Sequence, residues 1–173
     1  IPNMASNMNQ SVKAGPVSTN YEYSVEAIVE CAKSNSFSEL PIWLRRELRS
    51  DHAGEFGAVA IYQGILAVSK DPHVQAFARH HILTERRHLE LFESLVPIEN
   101  RTCLLRLWFV TGWITGALPT FFGRQAVFAT IEAVETFVDR HYQQQIDKLE
   151  LLPQYSELRQ YLTTCQADEL SHR

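Results

Sequence analysis

A doubled pattern of glutamate and histidine constrains this sequence more than any other feature. Glu-x-x-His occurs twice, at Glu85 to His88 and at Glu169 to His172. In an α-helix, side chains three residues apart project from the same face, so each pair can bind one site. One pair lies late in the second of four predicted helices and the other lies late in the fourth, and this placement indicates a shared centre.

A glutamate on an apolar helix precedes each pair. Glu55 stands 30 residues before Glu85, and Glu135 stands 34 residues before Glu169. One glutamate from each of two helices, with Glu-x-x-His from the other two, is the ligand inventory of a ferritin-like di-metal bundle. Four carboxylates and two imidazoles suit iron or manganese, whereas structural zinc prefers thiolates or more histidines. Glu132 lies one turn from Glu135 on nearly the same face, so spacing leaves the choice between them open.

Local start and stop signals predict an all-α fold, a ferritin-like up-and-down four-helix bundle. The predicted helices are Ile42 to Ser69, Pro72 to Val96, a third from Arg101 to Leu151 interrupted near Pro119 and Gly123, and a fourth from Pro153 onward. Short connections make sequential helices antiparallel neighbours. The bundle domain is expected over residues 38–173. Residues 1–37 are expected to be a flexible leader with a short helix at about Tyr23 to Lys33.

Charge and cysteine content exclude several kinds of site. A net charge of −4 argues against nucleic acid as a partner, because phosphate binding needs a basic face. The three cysteines are widely scattered, which suits a reducing compartment and offers no thiolate metal site. Any metal must therefore be held by Glu, Asp and His. A metal-free bundle remains compatible with the composition.

The segment from Leu104 to Phe122 is unusually apolar. It carries no charge from Leu107 onward, yet Pro119 breaks it and it is too short to span a bilayer comfortably. Its tryptophans and phenylalanines, with arginines at the margins, suit a segment that lies in the membrane interface. The alternative, a hydrophobic helix buried in the bundle, stays open. Gly54, Gly57 and Gly64 are unfavourable in the interior of the first helix. Close helix approach or substrate access would compensate at Gly54 and Gly57, which flank Glu55; loose packing is the alternative.

Several of these residues together resemble the demethoxyubiquinone hydroxylase family of ubiquinone biosynthesis. The run from Leu48 to Ala58, the Ile-Tyr-x-Gly that ends at Gly64, the two Glu-x-x-His pairs, Glu135 and His141-Tyr142 carry the resemblance, which covers roughly Ile42 to His172. The resemblance favours Glu135 over Glu132. It implies that the ligands of two iron ions are Glu55, Glu85, His88, Glu135, Glu169 and His172. It also places a quinone-contacting pair on His141 and Tyr142, which would position the quinone head and pass protons.

The resemblance implies a monooxygenase that uses O2 to hydroxylate the ring of a polyprenyl demethoxyquinol. NADH is the expected electron source, with the quinone as relay. The sequence contains no Gly-x-Gly-x-x-Gly fingerprint, so a Rossmann NAD site is not expected. Peripheral association with a membrane is expected, at the cytoplasmic face of a bacterial inner membrane rather than at a mitochondrial inner membrane. Other ubiquinone-biosynthesis proteins or a second copy of the chain are expected partners. Family members continue for one more hydrophobic helix, so a C-terminal truncation is expected.

Two other functions are compatible with the residues. A ferritin- or rubrerythrin-like protein that oxidises iron or reduces peroxide would share the ligands but would not need the apolar segment. A metal-free, lipid-binding helical protein would need only the apolar segment from Leu104 to Phe122. His73, His80 and His81 are expected on the wet face of the second helix. Asp51 is expected either to orient a ligand histidine or to have a plain surface or capping role.

Overall fold

The computed structural model describes residues 37–171, which form five α-helices joined by short loops and 3-10 turns. The helices are α1 (Ile42–Val68), α2 (Pro72–Leu95), α3 (Leu105–Ala117), α4 (Arg124–Glu150) and α5 (Ser156–Ser171). The all-α prediction is confirmed, and the interrupted third helix is divided between α3 and α4. Apart from Phe37, the predicted leader with its short helix lies outside the described residues, as does His172.

Local signals set the ends of α2. The side chain of Asp71 accepts hydrogen bonds from the backbone N–H of His73 at 2.8 Å and of Val74 at 3.3 Å, and Pro72 occupies the first turn. This is an N-cap with a proline where no N–H is needed. The helix ends before Pro97, which cannot continue it. The predicted boundaries of this helix are therefore accurate to about one residue.

The four longest helices form the predicted all-α bundle in a ferritin-like arrangement, in which α2 and the helix after α3 are not the antiparallel neighbours that short connections predict. The pairs α1–α2 and α4–α5 are hairpins in which the helices alternate in direction. At the start of α4, Arg124 lies 2.8 Å from Asp71 at the start of α2, so α4 runs parallel to α2. At the other end, Lys148 lies 2.8 Å from Glu47 near the start of α1, so α4 and α1 are antiparallel. The connection that contains α3 is the single long crossover found in ferritin-like folds.

Two apolar clusters fill the bundle and leave a polar layer between them. One cluster is built around Phe92, Tyr142 and Leu162. The other is built around Ile65 and Val127. Along α1, α2 and α4 the buried glutamates lie between residues of the two clusters. The fold therefore encloses its carboxylates in an apolar shell.

Backbone contact between α1 and α3 depends on glycine. A Cβ atom on Gly112 would lie 2.5 Å from the carbonyl oxygen of Gly57, and one on Gly116 would collide with the carbonyl of Ile61. From the α1 side, a Cβ on Gly64 would meet the carbonyl of Trp113. The two helices can therefore approach this closely only without side chains at these positions. The expected close approach is found at Gly57, and also at Gly64; Gly54 faces open space instead.

The remaining surface of α3 and the turn after it is exposed. Within α3, only Gly112, Gly116 and Ala117 are buried. This excludes the alternative in which the apolar segment fills the bundle core. The large exposed apolar side chains here are Leu104, Leu107, Trp108, Phe109, Val110, Ile114, Leu118, Phe121 and Phe122, which we call the α3 apolar face. Among residues 37–171, no helix combines the length and the apolarity that crossing a bilayer requires.

Candidate metal centre

Four buried side chains converge in the polar layer. Glu55 comes from α1, Glu85 and His88 from α2, and Glu169 from α5. Each offers one ligand atom, and these atoms all lie within 4.8 Å of one another. All four side chains are almost inaccessible to solvent. The structure therefore brings four of the six predicted ligands into one group, although they are up to 114 residues apart, from 55 to 169.

The electrostatics of this group favour a cation. Burial raises the pKa of Glu55 well above its ordinary value, and the nearby charges of Glu85 and Glu169 raise it further, while His88 opposes the shift. One oxygen of Glu55, Oε2, is buried and accepts no hydrogen bond. Three carboxylates that share a dry site must bind protons or a cation, because water cannot solvate their charge there. The donor set of carboxylates and one imidazole fits iron or manganese.

The imidazole of His88 is held from behind by Asp168. Its Nε2 lies 3.1 Å from Asp168 Oδ2, while its Nδ1 lies 3.3 Å from Glu169 Oε1 and 3.7 Å from Glu55 Oε2. Burial lowers the pKa of His88, but the hydrogen bond to Asp168 and other neighbours outweigh this, so the pKa is raised. A carboxylate on the far nitrogen fixes the ring orientation of metal-binding histidines. Nδ1 is thus the nitrogen presented to a metal.

Asp51 is buried rather than at the surface. Its carboxylate lies 3.0 Å from His141 Nε2 and accepts a hydrogen bond from Gln145 Nε2 at 2.7 Å. The surface alternative is therefore wrong, and among the described residues the histidine that Asp51 contacts by a hydrogen bond is His141. The contact with Asp51 is the main cause of the raised pKa of His141.

Glu135 and Glu132 have different environments. Glu135 is buried and accepts a hydrogen bond from the Tyr62 hydroxyl at 3.1 Å, whereas Glu132 is exposed. A buried carboxylate needs a partner, and this supports Glu135 as the ligand from α4. In the described part of the chain, Glu135 is not a member of the 4.8 Å group.

The two residues of the predicted His141-Tyr142 pair differ in burial. Tyr142 is fully buried, and its hydroxyl donates a hydrogen bond to Glu55 Oε1. His141 is partly exposed and stacks against Phe137, with ring centroids 6.5 Å apart. Tyr142 therefore touches the candidate ligands directly, whereas His141 lies nearer the solvent.

A cavity of about 300 Å³ joins these residues to the α3 apolar face. At one end are the carboxylates of Glu55, Glu85, Glu135 and Glu169. Its walls come from α1, α3 and α4 and include Gly54, Ala58, Ile61, Trp108, Thr111, Thr115, Val138, His141 and Tyr142. At the other end it reaches Trp108 and Phe137, which are exposed. A flat, apolar molecule could thus pass from the outer surface to the buried carboxylates.

Sequence comparison assigns the chain to a family. Residues 42–173 match the model of the family described as ubiquinone biosynthesis protein COQ7. The chain belongs to this family. The COQ7 match begins at the first residue of α1 and includes every residue of the candidate centre.

Curated relatives carry hydroxylase names. The 3-demethoxyubiquinol 3-hydroxylase of Rhodospirillum rubrum is 40% identical over 134 residues, which are 74% of this chain and 61% of that protein. The human NADPH-dependent 3-demethoxyubiquinone 3-hydroxylase, mitochondrial, is 37% identical over 131 residues, 73% of this chain and 60% of that protein. The relative of the same name from Dictyostelium discoideum is 35% identical over 133 residues, 75% of this chain and 61% of that protein. The chain spans about three fifths of the length of these relatives.

Sequence reasoning missed several residues of the COQ7-type site. The expectation that His73, His80 and His81 face solvent is wrong for His81, which packs against Phe77 with ring centroids 4.3 Å apart, while His73 and His80 are exposed. Asp168 stands directly before a predicted ligand, a position from which a side chain can reach the neighbouring helix. Tyr62 follows Glu55 by seven residues, as Tyr142 follows Glu135. That repeated spacing was the available signal.

Proposed function

We propose that this chain is the metal-binding, catalytic part of a monooxygenase that hydroxylates the ring of a polyprenyl demethoxyquinol (2-polyprenyl-3-methyl-6-methoxy-1,4-benzoquinol) in ubiquinone biosynthesis. The observation that carries the proposal is the buried carboxylate–histidine group at the inner end of a cavity that reaches an exposed apolar surface. The names of the relatives support the same substrate. An iron-oxidising or peroxide-reducing protein would need neither the cavity nor the α3 apolar face.

Two iron ions would be held by the six predicted ligands, Glu55, Glu85, His88, Glu135, Glu169 and His172. When bound, they would supply the redox chemistry by which O2 is used. In the overall reaction one oxygen atom of O2 is inserted into a C–H bond of the quinol ring to give a hydroxyl group, and the other takes up two electrons and two protons and leaves as water. The electrons would come from a reduced nicotinamide nucleotide. We expected NADH from the sequence, and several relatives are named NADPH-dependent.

The chain's own side chains would orient the site and keep it dry. Asp168 fixes the imidazole of His88, and Tyr142 fixes one oxygen of Glu55. Burial raises the pKa of the Tyr142 phenol well above its ordinary value, so this hydroxyl stays protonated and acts as a donor. Apolar walls exclude water from the cavity, which strengthens every electrostatic interaction inside.

His141 is the member of the predicted pair that could move a proton. It lines the cavity, and Asp51 holds its Nε2 from the side of α1. The hydrogen bond to Asp51 raises its pKa above the ordinary histidine value. Proton exchange works best when the catalytic pKa lies near the operating pH. We therefore assign proton transfer at the quinol ring to His141, and positioning of Glu55 to Tyr142.

The α3 apolar face would rest in the interface of a membrane and admit the substrate. Trp108 at the outer end of the cavity suits the headgroup region, and Phe121 and Phe122 are available for burial among acyl chains. A polyprenyl tail could then remain in the lipid while the ring enters the cavity. We propose the cytoplasmic face of a bacterial inner membrane as the location. The human and Dictyostelium relatives are named as mitochondrial. Other biosynthetic proteins or a second copy of the chain would bind elsewhere on the surface.

Quinone analysis in a host that lacks its own hydroxylase tests this function. The full-length gene should convert the accumulated demethoxyquinone to ubiquinone, and the same gene with Glu85→Ala should not. The variant controls for the metal centre because Glu85 is a predicted ligand in the buried group. Persistence of the demethoxy intermediate in cells that contain the folded, iron-loaded wild-type protein would contradict the proposal.

A further inference from the structure

Two tyrosines connect α1 and α4 through reciprocal hydrogen bonds. Tyr62 on α1 donates its hydroxyl hydrogen to Glu135 Oε1 on α4 at 3.1 Å. In return, Tyr142 on α4 donates to Glu55 Oε1 on α1. All four side chains are at least 96% buried, so water does not compete with either bond. Each predicted ligand on one helix is thus held by the tyrosine of the other.

The sequence repeats the spacing that makes this reciprocity possible. Tyr62 follows Glu55 by seven residues, and Tyr142 follows Glu135 by seven. Seven residues are about two helical turns, which places each glutamate and its tyrosine on one face. Because α1 and α4 are antiparallel, the glutamate of either helix lies opposite the tyrosine of the other.

Both phenols are fixed donors. Burial raises the pKa of Tyr62 far above its ordinary value, and the charge of Glu135 raises it further. For Tyr142, burial likewise comes first and the charge of Glu55 second. A protonated phenol opposite a carboxylate makes a charge-assisted hydrogen bond, which is stronger and more directional than a neutral one.

One oxygen of each carboxylate is therefore committed to a tyrosine. The consequence is visible at Glu55, where Oε1 is bonded to Tyr142 while Oε2 accepts no hydrogen bond and lies 3.7 Å from His88 Nδ1. The tyrosine thus determines which oxygen faces the candidate metal-binding group. The rings are held in place by packing: Tyr62 lies 6.2 Å from the ring centroids of Phe77 and His81, and Tyr142 lies 6.4 Å from that of Phe92.

We propose that Tyr62 and Tyr142 are a matched pair of positioning residues, each of which holds one oxygen of a glutamate so that the other oxygen can face a metal ion. Tyr142 acts on Glu55 and the group that contains His88. Tyr62 acts on Glu135 and a second metal position. This inference rests on the proposed metal centre, and it gives Tyr62 a role beyond that of a core residue.

Anaerobic titration of the full chain with Co(II), followed by the visible absorption of the bound ion, tests the pair. Tyr62→Phe should weaken one of two binding steps by roughly 10- to 100-fold, the usual effect of removing a hydrogen bond to a metal ligand. Tyr142→Phe should weaken the other step by a similar factor. Glu135→Gln and Glu55→Gln identify the steps, because each should affect the same step as its tyrosine partner. Tyr155→Phe, distant from the carboxylates in the outer part of a core cluster, is the matched control.

The outcomes separate this inference from the proposed function. If the wild-type chain binds no Co(II), the metal centre itself is refuted. If the wild type binds two ions and Tyr62→Phe either matches it or weakens both steps equally, only the inference is overturned. Circular dichroism monitors folding. Should Tyr62→Phe not fold, Tyr142→Phe alone decides, since the proposal requires it to weaken a single step.

Discussion

The interior of the bundle contains acidic side chains, and the outer face of α3 carries large apolar ones. This is the reverse of the composition usual for the interior and the surface of a protein. Within the bundle, Glu85 is 1% exposed and Glu135 is 3% exposed. On the α3 apolar face, Phe121 is 73% exposed and Phe122 is 75% exposed. Acidic side chains are almost never fully buried without a partner, and large contiguous apolar patches are rare on monomers.

The helix α1 contacts both the acidic interior of the bundle and the apolar helix α3. One side of this helix presents Glu55 and Tyr62 to the bundle, and another presents Gly57 and Gly64 to α3. Each inversion is costly alone, because buried charge lacks solvation and exposed apolar surface orders water. In the proposed function, a cation would offset the first cost and a lipid surface would offset the second. The cavity between them allows one substrate to use both.

The largest effect is expected from removing a carboxylate of the interior. Glu85→Ala should abolish hydroxylation and lower the iron content, because it deletes one of four donors in the buried group. Product formation and iron analysis of the purified full-length protein measure this. Glu90→Ala, an exposed glutamate on the same helix, should leave both unchanged. Equal losses in the two variants would show that the interior carboxylates are not special.

The contact that joins the two regions should be the next most sensitive. Gly116→Val should lower the free energy of unfolding by about 1–3 kcal/mol or more, because a side chain there collides with the Ile61 carbonyl. Gly54→Ala is the control, since a Cβ at Gly54 meets no atom within 4 Å and alanine favours helix. Urea unfolding should show opposite signs for the two changes. A harmless Gly116→Val would mean that α3 is not tightly docked.

The exterior should respond in membrane binding rather than in stability. Phe121→Ser with Phe122→Ser should weaken binding to lipid vesicles by at least about 10-fold, because a buried phenylalanine contributes roughly 1.5–3 kcal/mol. The matched control is Leu151→Ser, another highly exposed apolar residue, at the opposite end of α4. Vesicle co-sedimentation measures the difference. If the control weakens binding as much as the double variant, the α3 apolar face has no special role.

The smallest effect is expected at the cavity rim, as a pH dependence. The pKa of His141 is raised chiefly by Asp51, with Glu47 adding and Lys148 opposing. A histidine pKa that folding raises stabilises the fold fully below its unfolded value, and this contribution is lost as the pH rises through the folded value. The loss of unfolding free energy in His141→Gln should therefore shrink as the pH rises.

The stabilising effect of His141 should also fall at low pH, because protonation of Asp51 removes the negative charge that attracts the His141 imidazolium. Burial raises the pKa of Asp51 above its ordinary value. Denaturant unfolding at a series of pH values, with exposed His73→Gln as the reference, measures the trend. If the difference in unfolding free energy between the two variants does not vary with pH, the pair of His141 and Asp51 does not stabilise the fold through its charges.

Much of this architecture could be predicted from local signals, and the rest depends on which helices meet. The spacing of Glu85 and His88 could be read directly, and so could the ends of α2, because cap and proline effects act over a few residues. The roles of Asp168 and His81 could not, because Asp168 contacts His88 on another helix, and His81 stacks against Tyr62 of α1 as well as packing against Phe77 of its own helix. The same limit applies to the direction of α4, which follows from the path of the chain between residues 96 and 124.

The most direct test of a di-iron centre is a crystal structure of the iron-loaded, full-length protein with data measured at the iron absorption edge. The account predicts two anomalous peaks in the polar layer, one beside Glu55 and His88 and one beside Glu135, with Glu85 and Glu169 adjacent. Iron found only at the protein surface, or an iron-loaded sample with no peak among these carboxylates, would contradict it.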